Sequence, residues 1–241
     1  MKKITFLALG FLLIGTTTGH TQILKDLKNK VEEKVSTGSA SLTEDEVAAG
    51  LKEALTRGVE TGVAQLAKPD GYFKDLAIKI PLPPEAENVE IKLRKLGQGK
   101  KVDDAIESIN RAAEDAAKGA KDIFVNAIKN MSLTDAMSIL KGDVNAATNF
   151  LSKTTRSALF EKFKPVIKTS LDKVGATKNW NTVFTSYNKI PMVKKVNPDL
   201  DEYATNKAID GLFVQIAKQE KEIRENPAAR VSDLLKKVFG V

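Results

Sequence analysis

The stretch of sequence that decides the fold lies between residues 102 and 171. It begins with VDDAIESINRAAEDAAKGAKDIFVNAIKNM at 102–131, and continues with SLTDAMSILKGD at 132–143 and NAATNFLSKTTR at 145–156. In its first part, apolar residues recur in alternating steps of four and three, the spacing of a buried helical face. These positions are Val102, Ile106, Ile109, Ala113, Ala116, Ala120, Ile123 and Ala127. We therefore predict one central helix over 103–130, whose small side chains allow a partner helix to pack closely.

A helix predicted from Thr43 to about Ala67 is the expected partner of this alanine face. Thr43 and Glu46 have the spacing of a capping box, in which each side chain binds the other residue's backbone N–H. Each glycine inside a helix costs about 1 kcal/mol relative to alanine, so we interpret a row of them as a close helix contact. The row comprises Gly50, Ala54, Gly58 and Gly62. Charged residues along the same helix exclude the membrane form of the Gly-x-x-x-Gly motif.

The remaining patterns are also helical. Ser132 and Asp135 form a second capping box, Gly142 ends that helix, and Asp143 is expected to cap the next one. Pro165 is expected to kink the following helix or to begin a new turn. Helical spacing recurs at 84–97, 180–190, 197–225 and 231–239. We therefore predict an all-α fold, a single bundle-like domain of about eight to ten helices over residues 42–241.

The N-terminal residues predict export. Lys2 and Lys3 precede an apolar run from Ile4 to Ile14, and small and polar residues follow it. This is the arrangement of a secretory signal peptide, and the run is too short to span a bilayer. We assign residues 1–21 to a cleaved signal peptide, with a retained membrane anchor as the alternative, and 22–41 to a charged helical lead-in and linker. The mature protein is then expected in the periplasm or outside the cell.

Two rare residue types exclude several chemistries. The chain has no cysteine, and its one histidine, His20, lies at the predicted cleavage region. Disulfides, a cysteine nucleophile, a histidine base and histidine metal ligands in the core are therefore excluded. The sequence also has no Gly-x-Ser-x-Gly elbow, no P-loop and no Asp-x-Asp-x-Asp-Gly calcium loop. We predict no metal, no cofactor and no established catalytic residue.

The net charge of the chain does not identify its binding partner. The formal net charge is +7, and basic residues are mixed with acidic ones along the chain. No zinc-finger spacing and no RNP-like pattern is present, so we expect no nucleic-acid binding. A protein or a small molecule is the expected partner. Weak contact of the amphipathic segment 24–35 with an anionic membrane surface is an alternative, and the oligomeric state is left open.

Two sets of polar residues adjoin predicted buried faces. Asn110 and Glu114 flank the alanine face of the central helix. Glu220 falls on the apolar row of the last long helix, and Arg224 follows four residues later, where the two can pair. A carboxylate in a core needs such a partner, or its pKa rises. We interpret Glu220 and Arg224 as a structural ion pair, with a ligand-binding or acid–base carboxylate as the alternative.

Six strings taken together are distinctive. They are NRAAE at 110–114, DAMSILKGD at 135–143, AATNF at 146–150, FKP at 163–165, EKEIRENPAAR at 220–230 and VFG at 238–240. In combination they resemble an uncharacterised bacterial family, domain of unknown function 4197, over about residues 42–240. The resemblance implies an exported, mainly helical protein and supplies no activity. It adds weight to a candidate polar cluster of Asn110, Arg111, Glu114, Asp135, Thr148, Glu220, Arg224 and Arg230.

The function favoured by these patterns is a non-catalytic, exported binding or interaction protein of the cell envelope. One alternative is an enzyme in which Glu114 or Glu220 acts as acid and base while an arginine orients the substrate. Another is a peripheral membrane protein. Convergence of the polar residues on one pocket would favour the enzyme, whereas separate helix contacts would count against it.

Overall fold

The protein is a bundle of α-helices. The computed structural model describes residues 42–189, 191–192, 195, 197, 199–226, 236 and 238. Within these residues there are eight α-helices, one 3₁₀ turn and no strand, which confirms the predicted all-α class. The helices are α1 (Glu44–Leu66), α2 (Glu87–Lys95), α3 (Gly99–Ala117), α4 (Ala120–Lys129), α5 (Leu133–Lys141), α6 (Ala146–Lys173), α7 (Ala176–Tyr187) and α8 (Leu200–Glu225). The 3₁₀ turn, Pro84–Ala86, leads directly into α2.

The two longest helices, α6 and α8, form the centre of the bundle. They pack on each other along their lengths, and α8 also packs on α1, α3 and α7. Small buried residues on α8, Ala204 and Ala208, let its neighbours approach, while Phe213 packs edge-on against Phe124 of α4 with ring centroids 5.8 Å apart. One contiguous apolar core results, and it draws buried residues from every described helix except α2.

The single central helix predicted over 103–130 is wrong, because the chain breaks between α3 and α4 at Lys118 and Gly119. The backbone N–H of Gly119 donates to the carbonyl of Ala116 at 3.0 Å, a tighter turn than the α-helical one. A Cβ placed on Gly119 would lie 3.2 Å from Cε of Lys162 on α6. Glycine therefore weakens the helix here and admits a side chain from α6. The apolar periodicity continues across the break and conceals it.

The expected pairing of the alanine face with the glycine-bearing helix is only partly right, because α1 packs on α4, which carries the last part of the alanine face, but makes little contact with α3. The alanine face packs chiefly on α6, while the glycine row on α1 faces α8. A Cβ on Gly58 would lie 3.2 Å from Cδ1 of Ile223, and a Cβ on Gly62 would lie 3.3 Å from Cδ1 of Ile216. The glycines do mark a close helix contact, as predicted. Periodicity shows which face is buried but not which helix covers it.

Helix ends follow the local signals in two cases and depart from them in two. Both capping boxes form, at Thr43 and at Ser132. Asp143 does not cap α6, whose N-cap residue Asn145 makes no side-chain cap either. No new helix begins at Pro165, because α6 continues through it to Lys173.

Several predictions concern residues outside the described part of the chain. These are the signal peptide, the lead-in and linker at 22–41, Arg230, and all of the last helix at 231–239 except residues 236 and 238. Within the part that is described, no helix is long and apolar enough to cross a membrane.

Candidate functional site

The structure separates the predicted polar residues into two groups. Asn110, Arg111 and Glu114 on α3 hold the connection between α1 and α2, and we call them the loop-anchoring cluster. Glu220 and Arg224 on α8, with Thr148 on α6, form the helix-end cluster. Among the described residues, no hydrogen bond or ion pair joins the two groups. Asp135 belongs to neither, since its carboxylate caps its own helix α5 through Ser132.

In the loop-anchoring cluster, the side-chain amide of Asn110 binds both the N–H and the carbonyl of one residue, as a neighbouring β-strand would. Its Oδ1 accepts from the backbone N–H of Ile80 at 2.9 Å, and its Nδ2 donates to the carbonyl of the same residue at 2.8 Å. The other Nδ2 proton bonds to the carbonyl of Ile106. The side chain is fully buried, so every one of these bonds satisfies a group that water cannot reach.

One turn further along α3, Glu114 binds the same connection. Its Oε1 accepts from the backbone N–H groups of Tyr72 and Phe73 at 3.1 and 3.2 Å, and its Oε2 accepts from Arg111 at 2.8 Å. Arg111 also donates to Asp70 at 2.7 Å. Hydrogen bonds to Glu114 and Asp70 raise the pKa of Arg111, and hydrogen bonds from Lys74 and Arg111 lower the pKa of Asp70. Asp70 has a positive φ of 70°, so the chain turns sharply where it is held.

The connection between α1 and α2 is also held by contacts with α8 on its other side. Tyr72 is fully buried, and its hydroxyl donates to the carbonyl of Ala208 at 2.7 Å. Burial raises the pKa of this phenol, so it stays protonated and keeps donating. A Cβ on Gly211 would lie 2.7 Å from Cε1 of Tyr72, so this position on α8 has no room for a side chain.

The helix-end cluster joins the ends of two helices. Oε1 of Glu220 accepts from the backbone N–H of Ala147, and Oε2 accepts from the backbone N–H and the hydroxyl of Thr148, at 2.8 to 3.0 Å. Arg224 donates to Oε1 of Glu220 at 2.9 Å and to the carbonyl of Ile139 at 2.9 Å. The pair therefore caps the start of α6 and the end of α5. The predicted pairing of Glu220 with Arg224 is confirmed.

Neither carboxylate has room for a substrate in this structure. The cavity beside Glu220 measures about 10 Å³, close to the smallest volume that holds one water molecule. Glu114 is 4 % exposed, and each of its oxygens already accepts a hydrogen bond from the protein. Within the described part of the chain, no group of three acidic or histidine side chains is placed to hold a metal ion.

A shallow hollow on the outer side of Arg111 is more open, with a volume of about 390 Å³. Its charged side chains are neutralised by their neighbours, since Glu107 pairs with Arg111 and Asp115 with Lys118. The hollow therefore has few charged groups available to bind a ligand.

One pocket among the described residues has the character of a ligand site, and the sequence analysis missed it. An apolar groove of about 540 Å³ lies between α2, α3, the start of α7 and the start of α8. Its walls include Val89 and Leu93 on α2, Val102 and Ile109 on α3, and Trp180 on α7. The available signal was the i, i+3, i+7 spacing of Ala86, Val89 and Leu93. This spacing is the same as that of ordinary core residues.

The wall formed by α2 differs from the others. None of its residues is buried, whereas α3 buries Val102 and most of its residues from Ile109 to Ala117. Of the groove-lining residues, Val89 on α2 is 39 % exposed, and Val174, at the end of α6, is 58 % exposed. The apolar surface of the groove thus continues to the outside of the molecule at its mouth.

Three polar side chains line the groove, and two of them already bond to other groups of α3. The hydroxyl of Ser108 donates to the carbonyl of Asp104 at 2.8 Å, and both oxygens of Asp104 lie 2.8 Å from Nζ of Lys100. Nζ of the third, Lys101, donates to the neutral Oε1 of Gln98 at 3.1 Å. Within the described residues, no carboxylate lies within ion-pair distance of Lys101.

Fold and site together define a helical-bundle protein that has an apolar groove and buried carboxylates paired with arginines. A family model described as "Protein of unknown function (DUF4197)" matches residues 41–240. The chain belongs to this family, which confirms the resemblance drawn from its sequence strings. A search among curated proteins finds no significant match, and neither does a search among solved structures.

Proposed function

We propose that this protein is a non-catalytic, exported binding protein that takes an apolar small molecule into the groove between α2, α3 and α7. The groove carries the proposal. Its volume of about 540 Å³ lies within the roughly 300–1,000 Å³ of small-ligand pockets, and its walls are chiefly aliphatic and aromatic. A mostly apolar cleft with a few polar groups at one side is the usual form of such a site.

The state of the two candidate carboxylates supports a non-catalytic role. A general acid or base must reach the proton that it transfers, directly or through one water. The oxygens of Glu114 and Glu220 instead accept hydrogen bonds from backbone N–H groups and from Arg111 and Arg224. Removing either carboxylate is therefore expected to lower the stability of the fold.

Export is supported by the basic N-terminus followed by the apolar run from Ile4 to Ile14. The test is to express the full chain, fractionate the cells and sequence the N-terminus of the protein from the periplasm or the medium. A mature N-terminus between residues 19 and 23 is expected. A protein that keeps Met1 and stays in the cytoplasm would contradict export.

Ligand binding can be tested through Trp180, because it is the only tryptophan of the chain and lines the groove. N-phenyl-1-naphthylamine, a neutral apolar probe, should bind saturably with one probe per protein. Energy transfer from Trp180 to the probe should accompany binding. Ala105→Phe, which fills the groove from α3, should weaken binding about tenfold, as expected for the loss of about 1.4 kcal/mol.

The matched control is Ala49→Phe, which adds the same side chain at an exposed position on α1. Far-UV circular dichroism checks that both variants fold. Absence of probe binding, or equal binding by the two variants, would refute the groove as the binding site.

A further inference from the structure

This inference rests on the proposed function and concerns the class of ligand. We propose that the groove binds a single-chain aliphatic amphiphile with a carboxylate head group, with the chain along α3 and the head group at Lys101.

The apolar walls of the groove favour a ligand whose main part is a hydrocarbon chain. Of the three polar side chains that line the groove, Ser108 and Asp104 are engaged with α3 itself and with Lys100. A ligand with polar groups along its length would lose hydration there and find few hydrogen-bond partners among the described residues, which is unfavourable. A hydrocarbon chain loses nothing on entering and gains by leaving water.

The length of the groove suits one extended chain. The groove follows α3 from Lys101 to Ile109, a length of about 12 Å at 1.5 Å per residue. A single hydrocarbon chain lying along α3 fits within its volume of about 540 Å³.

The charge at one end selects an anionic head group. Neighbouring cations are neutralised, since Lys100 pairs with Asp104, and Arg94 pairs with Glu90 and Asp103. Lys101 is exposed, and its ammonium bonds to an uncharged amide at 3.1 Å. The first turn of α3 contains no acidic residue, and Gln98 does not cap it through its side chain, so the positive end of the helix dipole adds to the charge of Lys101.

The experiment compares three ligands with one chain length and different head groups. Decanoate, decanol and decyltrimethylammonium are titrated below their micellar concentrations against the full-length protein, with Trp180 fluorescence as the readout. Decanoate should bind at least fivefold more tightly than decanol, and the cation most weakly. From octanoate to decanoate, affinity should rise about fourfold for each methylene, the equivalent of about 0.8 kcal/mol.

Variants of Lys101 separate the head group from the chain. Lys101→Gln should remove the preference for decanoate while leaving the affinity for decanol unchanged, and Lys101→Glu should reverse the preference. Lys153→Gln is the matched control, because it removes the same charge from an exposed position on α6 that does not line the groove. It should leave all three affinities unchanged.

The outcomes distinguish this inference from the proposed function. If the three ligands bind equally, or if Lys101→Gln weakens decanoate and decanol alike, the groove remains a binding site and the assignment of the head group is wrong. If none of the ligands binds and N-phenyl-1-naphthylamine does not bind either, both proposals are wrong.

Discussion

Single residues in this protein carry contacts between helices that are far apart in sequence. Glu220 on α8 accepts from the N–H groups of Ala147 and Thr148, which begin α6, and its partner Arg224 donates to the carbonyl of Ile139 near the end of α5. Asn145 at the start of α6 supplies no side-chain cap. The carboxylate of Glu220 therefore caps α6 from a different helix, in place of a neighbouring residue. Its negative charge also interacts favourably with the positive end of the helix dipole.

We predict that Glu220→Gln destabilises the fold by about 3 kcal/mol. An amide removes the charge that Arg224 needs and turns an NH₂ group toward groups that donate, and breaking a buried pair from one side costs roughly 3–5 kcal/mol. The free energy of unfolding in urea measures the change. Glu222→Gln, at an exposed position of the same helix, should stay within about 0.5 kcal/mol. Equal effects of the two substitutions would contradict a structural role for Glu220.

A second residue-scale prediction concerns pH. Asp201 is 5 % exposed, accepts from the hydroxyl of Thr177 at 3.0 Å, and lies 3.8 Å from Nζ of Lys168. Burial raises the pKa of Asp201 above its usual 3.8. The folded state then favours the protonated form, so stability from this group is present below pH 3.8 and is lost as pH rises through the folded pKa.

Asp201→Asn should therefore stabilise the protein at neutral pH and have little effect below pH 3.8. Asparagine keeps an acceptor for Thr177 and removes the charge that is unfavourable in the buried site. Melting temperatures of both proteins between pH 3 and pH 7 test this, and the difference should grow as pH rises. A difference that is constant across this range would show that ionisation of Asp201 does not affect stability.

Among the helices, α2 is attached differently from the rest. It buries no residue, it follows Pro83 and Pro84, and it ends beside Gly97, which has a positive φ of 74°. Such a helix has few apolar contacts to lose on opening, so local unfolding of α2 should need little free energy.

Backbone amides in α2 should exchange with solvent at least tenfold faster than those of the buried turns of α3, from Ile109 to Ala116. Native-state hydrogen exchange with mass spectrometry measures both in one experiment. Bound N-phenyl-1-naphthylamine should slow exchange in α2 and leave α5 unaffected, since α2 is a wall of the groove. Equal protection of α2 and α3 in the free protein would contradict this interpretation.

Among the described residues, most buried apolar side chains belong to one cluster, and a second cluster contains only Ala54 and Ile223. The main cluster includes side chains of α1, α4, α6 and α8, with Phe124 packed against Phe213. A domain built in this way has no boundary along which part of it could unfold independently.

We therefore predict a single unfolding transition in urea. Far-UV circular dichroism reports all helices, while Trp180 fluorescence reports the groove, and the two midpoints should coincide. The full-length chain and a chain that begins at Leu42 should give the same midpoint, which also tests the predicted domain boundary. Two separated transitions would show that the groove region unfolds on its own.

Local signals and distant partners differ in how well the sequence predicts them. The capping boxes of Thr43 and Ser132 were predictable because both partners lie within three residues. The pairing of Glu220 with Arg224 was predictable from one helical turn, but the N–H groups that Glu220 binds lie 72 and 73 residues away. The break at Gly119 was missed because the apolar spacing continues across it.

The sequence by itself determined the helical class, both capping boxes, the buried faces and the membership of the family, because each depends on periodicity or on neighbours within one or two turns. Only the tertiary structure decided that α3 packs on α6, that α1 packs on α8, and that Asn110 and Glu114 hold the connection between α1 and α2. It also decided that Val89, Val102 and Trp180 line a groove. An amphipathic helix specifies that one face leaves water, whereas the surface that covers that face depends on how all the helices pack together.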